Sequence, residues 1–395
     1  MRLSRHGATA AGGVNRQALS PEEFAAWREL IGWAADVGLT TFTDPIGNLF
    51  LRLEGRDPDA APVLTGSHLD SQPTGGKFDG VYGVLAGLEA VQAIIECGRK
   101  PRRPVEVVAW MNEEGSRFAP GMMGSAAFAG AASPDDFLEV RDAAGVSVAE
   151  GLTAARAAFP ELRERPLRRP VAAYIEAHIE QGPVLEREGF SVGVVTGIQG
   201  KRTFRVSVRG KEGHAGTTIR RERKDALLAA VTMIHALAVA MHDPEDLVKF
   251  TVGKLDVSPN APSVIAGAAT FSIDLRHPGS DVLKALGDRI PVICADHAGP
   301  CTVSIVELTN AISLDFVEHV RQLIRKCAAR LNIPSMDIYS AAGHDARHLH
   351  GICPAGMIFI PCRDGISHNE AESAKSGDLV AGARVLAEVM VELAG

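Results

Sequence analysis

Residues 201–210 read KRTFRVSVRG, an alternation of polar and apolar side chains. A period of two describes a strand with one face covered and the other wet. The elements downstream of it set the architecture. A helical pattern spans 224–242, two strand-like runs read VKFTVGKLDV (248–257) and AATFSIDLR (268–276), a second helix covers 280–290, and CTVSIVEL (301–308) is a further strand. That order, βαββαβ, is the signature of a ferredoxin-like unit. The flanking sequence has a different character. Upstream, SPEEFAAWRELIGWAADVG (20–38) predicts a helix with Ser20 as N-cap, Pro21 at its first position, Glu23 completing a capping box and Gly38 closing it. Apolar runs at 47–53 and 62–66, a helix at 81–97 and the strand VEVVAWM (105–111) come next; after 311 there are a helix near 313–331, the strand GMIFI (356–360) and a last helix around 376–393. Alternating strands and helices make this part α/β. The expected architecture is one α/β domain with a mixed sheet, residues 1–199 and 311–395, interrupted by a smaller domain at 200–310.

The chain has 395 residues, 46% hydrophobic and 23% charged, with 40 glycines to supply turns. It is long enough for two domains and a large core. A formal charge of −7 and a pI near 6.0 argue against a general nucleic-acid binder, which carries clustered Lys and Arg. Cysteines at 97, 294, 301, 327, 353 and 362 lack CxxC spacing and read as reduced thiols, which favours the cytoplasm. The start, MRLSRHGATAAGG, lacks the continuous apolar run of a secretion signal. ALLAAVTMIHALAVAMH (226–242) includes Thr232 and His235 and falls short of the roughly 18 uninterrupted apolar residues of a membrane span, so it reads as a buried helix.

The glycine-rich stretch GGKFDG (75–80) raises the question of a phosphate loop. Such a loop needs Ser or Thr after its lysine, and Lys77 is followed by Phe78. A metal site accounts for it better. VLTGSHLDS (63–71) places His68 and Asp70 where an apolar strand gives way to a polar loop, and an H-x-D pair lets Asp70 support an imidazole that holds a metal. Asp79 lies between Gly76 and Gly80, whose freedom lets the turn aim a carboxylate at the same point. Glu113 and Glu114 end an apolar strand: one can ligate a cation while the other takes a proton from the attacking water. His178 in YIEAHIEQGPVLE and His368 in the loop after GMIFI add imidazoles. Taken singly, each of these residues is better explained as a surface charge or a satisfied core histidine. Their joint occurrence points to a site, and mixed His and carboxylate donors suit zinc or manganese better than calcium or magnesium. In GHDARHLH (343–350), His344 and His348 sit at i, i+4, but Asp345 lacks the reach of the Glu in an HExxH helix. His348 and His350 read as structural; His344 and Asp345 stay as site-lining residues.

In this order, GSHLDSQPTGGKFDG (66–80), NEEGSRF (112–118), EAHIEQGPVLE (176–186), GHAGTT (213–218), SAAGHDA (340–346) and GISHNEAE (365–372) resemble the hydantoinase/carbamoylase branch of the M20 metallopeptidase-like amidases. That branch includes N-carbamoyl-L-amino acid hydrolases, allantoate amidohydrolases and β-ureidopropionases. The resemblance implies two divalent ions per subunit, zinc first, with manganese, cobalt or nickel as alternatives. His68, Asp79 and His178 would hold one; Asp79, Glu114 and His368 the other. Glu113 would be the general base. Peptidases of the wider family generally have Asp where His178 stands, so an exopeptidase is disfavoured. The 200–310 insertion would be a lid and dimerisation domain. His214 would reach the partner subunit's site in a homodimer, Arg276 would clamp the substrate carboxylate, and Gln181, His344 and Asn260 would lie at the substrate. One departure stands out: the family's PNxxNVIPG is PNAPSVIAG here, so Ser263 replaces a carboxylate-holding Asn and Ala266 replaces Pro. The expected activity is hydrolysis of the C–N bond of an N-carbamoyl-L-amino acid, a small molecule, with no nucleic-acid or membrane partner. Allantoate and N-acyl amino acids are the alternative substrates. A non-catalytic binding protein on the same fold is the alternative outside the class, and Glu113 argues against it, because a binder needs no uncoordinated base.

Overall fold

Four strands buried along their whole length form the centre of a mixed sheet: Val63–His68, Val105–Trp110, Ala173–Ile179 and Ala355–Ile360. They run parallel to one another in the order 105–110, 63–68, 173–179, 355–360. Continuous apolar runs such as VEVVAW are what a parallel strand covered on both faces requires. In this computed structural model, which describes residues 1–98 and 100–395, antiparallel strands extend the sheet on both sides. Leu49–Leu53 and Thr40–Thr43 lie beyond 105–110, and Val192–Ile198 lies beside 355–360. Helices Val81–Glu96, Glu318–Arg330 and Ser376–Ala394 pack on the central strands and on each other. Phe50, Trp110, Phe128 and Tyr174 form a chain of tilted and edge-on ring contacts.

The chain divides into two compact units, Met1–Thr196 with Phe316–Gly395, and Gly197–Asp315. In the second unit, Gly200–Arg209 lies between Ala268–His277 and Thr302–Ala311, antiparallel to both. Lys249–Thr251 and Leu255–Ser258 both pair with 268–277. The run VKFTVGKLDV, expected as one strand, is therefore two. Helices Ala226–Ala240 and Ser280–Asp296 pack against the sheet, and Phe204, Val206 and Val208 alternate inward from Gly200–Arg209 to meet them. Counted along the chain, the strand order is 2-3-1-4, that of a ferredoxin-like unit.

Several local expectations change. The first helix is Pro21–Asp36, capped by Ser20 Oγ, which accepts from Glu23 N at 3.2 Å. The capping box is not closed, because Glu23 Oε2 accepts instead from Leu19 N at 2.6 Å. The helix at 280–290 continues through Pro291 to Asp296. The helix Ala226–Ala240 buries only one face: Ala226, Ala230, Met233 and Leu237 are covered, while Leu228 (64% exposed), Val231 and Val239 face outward. Among the described residues no helix is long and apolar enough to cross a membrane.

Candidate metal centre

The carboxyl ends of the four parallel strands are where open α/β sheets place their ligands. His68 is the last residue of Val63–His68, Glu113 and Glu114 come just after Val105–Trp110, His178 stands near the end of Ala173–Ile179, and His368 lies in the loop after Ala355–Ile360. Asp79 ends the turn that precedes helix Val81–Glu96. His178 Nε2 is 3.2 Å and His68 Nε2 3.8 Å from Asp79 Oδ1. On the other oxygen, His368 Nε2 is 3.4 Å from Asp79 Oδ2 and 3.4 Å from Glu114 Oε2. Two sets of ligand atoms, His68/Asp79/His178 and Asp79/Glu114/His368, each converge to within 4.8 Å and share Asp79.

The donor chemistry fits cations. His68 Nδ1 and His178 Nδ1 each lie 2.9 Å from a backbone carbonyl, of Asp70 and Ile179. A carbonyl only accepts, so Nδ1 carries the hydrogen and Nε2 of the neutral ring faces inward as a lone pair. Burial pushes Glu114 up to about 8, helped by the Asp79 charge. Burial, then Asp345 and Glu114, push Glu113 well above the usual carboxylate range. This is a surplus of buried negative charge of the kind divalent cations neutralise. Burial also presses His68 down to about 4. For His178 the same pressure is outweighed by the Asp79 carboxylate, which raises it to about 9. A proton held there competes directly with a cation.

The remaining predicted residues fall into two groups. In the first unit, Glu113 Oε2 lies 3.6 Å from His68 Nε2, beside the convergent atoms. Asp70, expected to support the His68 imidazole, holds its Oδ1 3.6 Å from His68 Nδ1 while its carbonyl takes the closer contact at 2.9 Å, and its carboxylate accepts from Glu113 N (3.2 Å) and Glu114 N (3.1 Å). Gln181 has left-handed backbone (φ +57°) and donates Nε2 to Asp79 Oδ2 at 3.0 Å. His344 is buried behind the site, its ring 4.6 Å from that of His178 and its Nε2 3.0 Å from Ser340 Oγ. Asp345 is buried and bonded to Ser125 Oγ through Oδ1, while Oδ2 has no hydrogen-bond partner among the described residues. In the second unit, the pair Gly213–His214 and Val264–Ile265 forms a two-stranded ribbon, and Ala215 N donates to Ser263 O at 2.9 Å. His214 is exposed; its Nδ1 accepts from Gly216 N and Thr217 N, which leaves the hydrogen on Nε2. Asn260 and Ser263 are exposed with left-handed backbones. Arg276 grips Asp274 with Nε (2.8 Å) and Nη2 (3.1 Å).

Glu176 escaped the sequence reading. With His178 and His344 it makes a third cluster of ligand type. Its oxygens are already committed to Ser67 Oγ (2.7 Å) and Ala346 N (3.0 Å), so it supports rather than ligates. The signal was available, since Glu176 and His178 are alternate residues of one strand and share a face.

Residues 64–392 match the description "Peptidase family M20/M25/M40". The chain belongs to that family. Among M20 relatives, it is 38% identical to the N-carbamoyl-L-amino-acid amidohydrolase of Rhizobium meliloti, over 100% of this chain and 94% of that protein. It is 36% identical to the allantoate amidohydrolase of Escherichia coli, over 99% and 96%. A crystal structure of a hydantoinase/carbamoylase family amidase from Burkholderia multivorans superposes with a TM-score of 0.88 at 42% identity, covering 100% of this chain and 96% of that one. Like these M20 relatives, the chain is a hydrolase of carbon–nitrogen bonds in linear amides.

Proposed function

We propose that the chain is a homodimeric, cytoplasmic amidohydrolase with two divalent ions per subunit, zinc first and manganese next, that cleaves an N-carbamoyl-L-amino acid. The observation that carries this reading is the convergence of His68, Asp79, His178, Glu114 and His368 on two points that share Asp79, with Glu113 beside them. Bound there, the ions would polarise the scissile carbonyl and make hydroxide available near neutral pH. Glu113, whose Oε2 lies 3.6 Å from His68 Nε2, takes the proton of the attacking water and returns it to the leaving nitrogen. His214, with its hydrogen on Nε2, donates to the developing oxyanion in the partner subunit's site. Arg276, Asn260 and Ser263 form the carboxylate end of the substrate site, and Gln181 borders the metals.

The exposed apolar face of helix Ala226–Ala240 supports a second copy as its cover. The six free cysteines support a reducing compartment. Allantoate or an N-acyl amino acid is the second reading, favoured by Ser263, whose short hydroxyl replaces an amide with paired donor and acceptor. The test is release of free amine and ammonia across carbamoyl, formyl and acetyl amino acids, allantoate and ureidopropionate. The reading expects fastest turnover on a carbamoyl-L-amino acid, and no turnover of any of these after full metal loading would overturn it.

A further inference from the structure

We propose that Glu372 is a positioning residue that sets the shared metal ligand Asp79 by gripping the backbone of the turn that carries it; this rests on the reading of Asp79 as a ligand to both ions. Glu372 is buried, and its Oε1 accepts from two successive backbone groups, Phe78 N at 2.8 Å and Asp79 N at 3.1 Å. The other oxygen accepts from Ser367 Oγ at 3.2 Å. Ser367 has one hydroxyl hydrogen and lies 3.1 Å from Asp79 Oδ2, so it can give that hydrogen to either acid. Gln181 Nε2 reaches both Ser367 Oγ and Asp79 Oδ2 at 3.0 Å. Glu372 thus fixes the main chain of Asp79 through one oxygen, and through Ser367 it communicates with the Asp79 carboxylate itself.

The glycines of the turn make room for this arrangement. A Cβ on Gly76 would fall on the Glu372 carboxylate, and one on Gly80, where φ is +66°, would fall on the His68 ring. The loop that presents His368 and the turn that presents Asp79 are therefore locked together by one carboxylate. Oε1 of Glu372 is taken by the two N–H groups of the turn, and Glu372 belongs to neither of the two groups of convergent ligand atoms that share Asp79, which is why it acts through Asp79 rather than as a ligand.

The experiment measures zinc binding to the full-length chain by equilibrium dialysis, alongside the melting temperature of the zinc-free protein. Glu372→Ala is expected to weaken zinc binding about 10- to 100-fold, the usual cost of losing a partner behind a metal ligand. Glu372→Gln keeps an acceptor oxygen for both N–H groups and should recover affinity close to the original, whereas Glu372→Asp, one methylene shorter, should not. Wild-type zinc affinity in folded Glu372→Ala, or Gln binding as weakly as Ala, would overturn the proposal. Where Glu372→Ala does not fold, Gly76→Ala displaces the same carboxylate, and unchanged affinity there is equally fatal. A wild-type chain that binds no divalent ion fails the metal reading itself, and that outcome is visible before any variant is made.

Discussion

Glu113 is held largely inside the protein, and two forces act on its proton: burial, and the neighbouring charges of Asp345 and Glu114. Glu113→Gln keeps the shape and removes the basicity. It should retain both ions by metal analysis and lose about 10²- to 10⁴-fold in kcat, the usual worth of a general base; near-normal turnover would assign the base elsewhere. Arg276 offers a second test. Its fork is engaged by Asp274, which orients it, and Lys201 lies 3.4 Å from the same acid. If the guanidinium also grips a substrate carboxylate, Arg276→Ala should cost about 10- to 100-fold in kcat/KM on acidic substrates, the range of a hydrogen bond to a charged group. An equal loss on a neutral amide would remove the clamp. The histidines and Asp79 were legible in the sequence because cation ligands come from few residue types at strand ends. Glu372 was not, because an acid bonded to the N–H groups of a turn far upstream in the chain looks, taken alone, like a solvated charge.

Elements were legible where a single periodicity governed them. The buried parallel strands Val63–His68, Val105–Trp110 and Ala355–Ile360 and the alternating strand Gly200–Arg209 fall where their patterns put them, with ends shifted by a few residues, whereas Ala173–Ile179, whose apolar run is broken by Glu176 and His178, gave no strand expectation. Thr40–Thr43 gave no such signal, having one apolar side chain among threonines, and takes its pairing from Leu49–Leu53. The apolar run 226–242 was misleading, since its composition says nothing about which neighbour covers each face. Glu106, on the central strand Val105–Trp110, is fully buried and accepts from Arg52 (2.8 Å), Arg165 (2.9 Å) and Arg169 (3.2 Å), tying the segment after Arg163–Glu164 to the sheet. Glu106→Gln should destabilise by about 3–5 kcal/mol, because three guanidinium groups lose their buried counter-charge. Burial opposes ionisation, yet the arginines hold the Glu106 carboxyl below its ordinary value. A depressed acid stabilises the fold above its unfolded pKa, about 4.3, and the contribution fades as pH falls through the folded value. Denaturant melts should show that acid loss in the original chain and a flatter profile in Glu106→Gln.

The molecule divides its proposed chemistry between two folding units. The first unit brings together the metal-ligand candidates and Glu113; the second carries His214, Asn260, Ser263 and Arg276. Nothing in the sequence motifs alone says whether His214 serves its own subunit or the other, because motif order is the same either way. In the proposed homodimer the exposed stripe Leu228, Val231 and Val239 would be covered by a second copy, and Leu228→Glu with Val239→Glu should then convert the dimer to monomer by light scattering. Sharing of sites is tested by complementation. Glu113→Gln and His214→Ala chains are each expected to be nearly inactive, the second by about 100-fold for a lost oxyanion donor. If His214 acts across the interface, one site of a mixed dimer combines both defects and the other has neither. Random mixing of equal amounts makes half the dimers mixed, so activity should return to about a quarter of the original. If His214 acts within its own subunit, every site keeps one defect and no activity returns, even where the mixed dimer is demonstrated by separable tags.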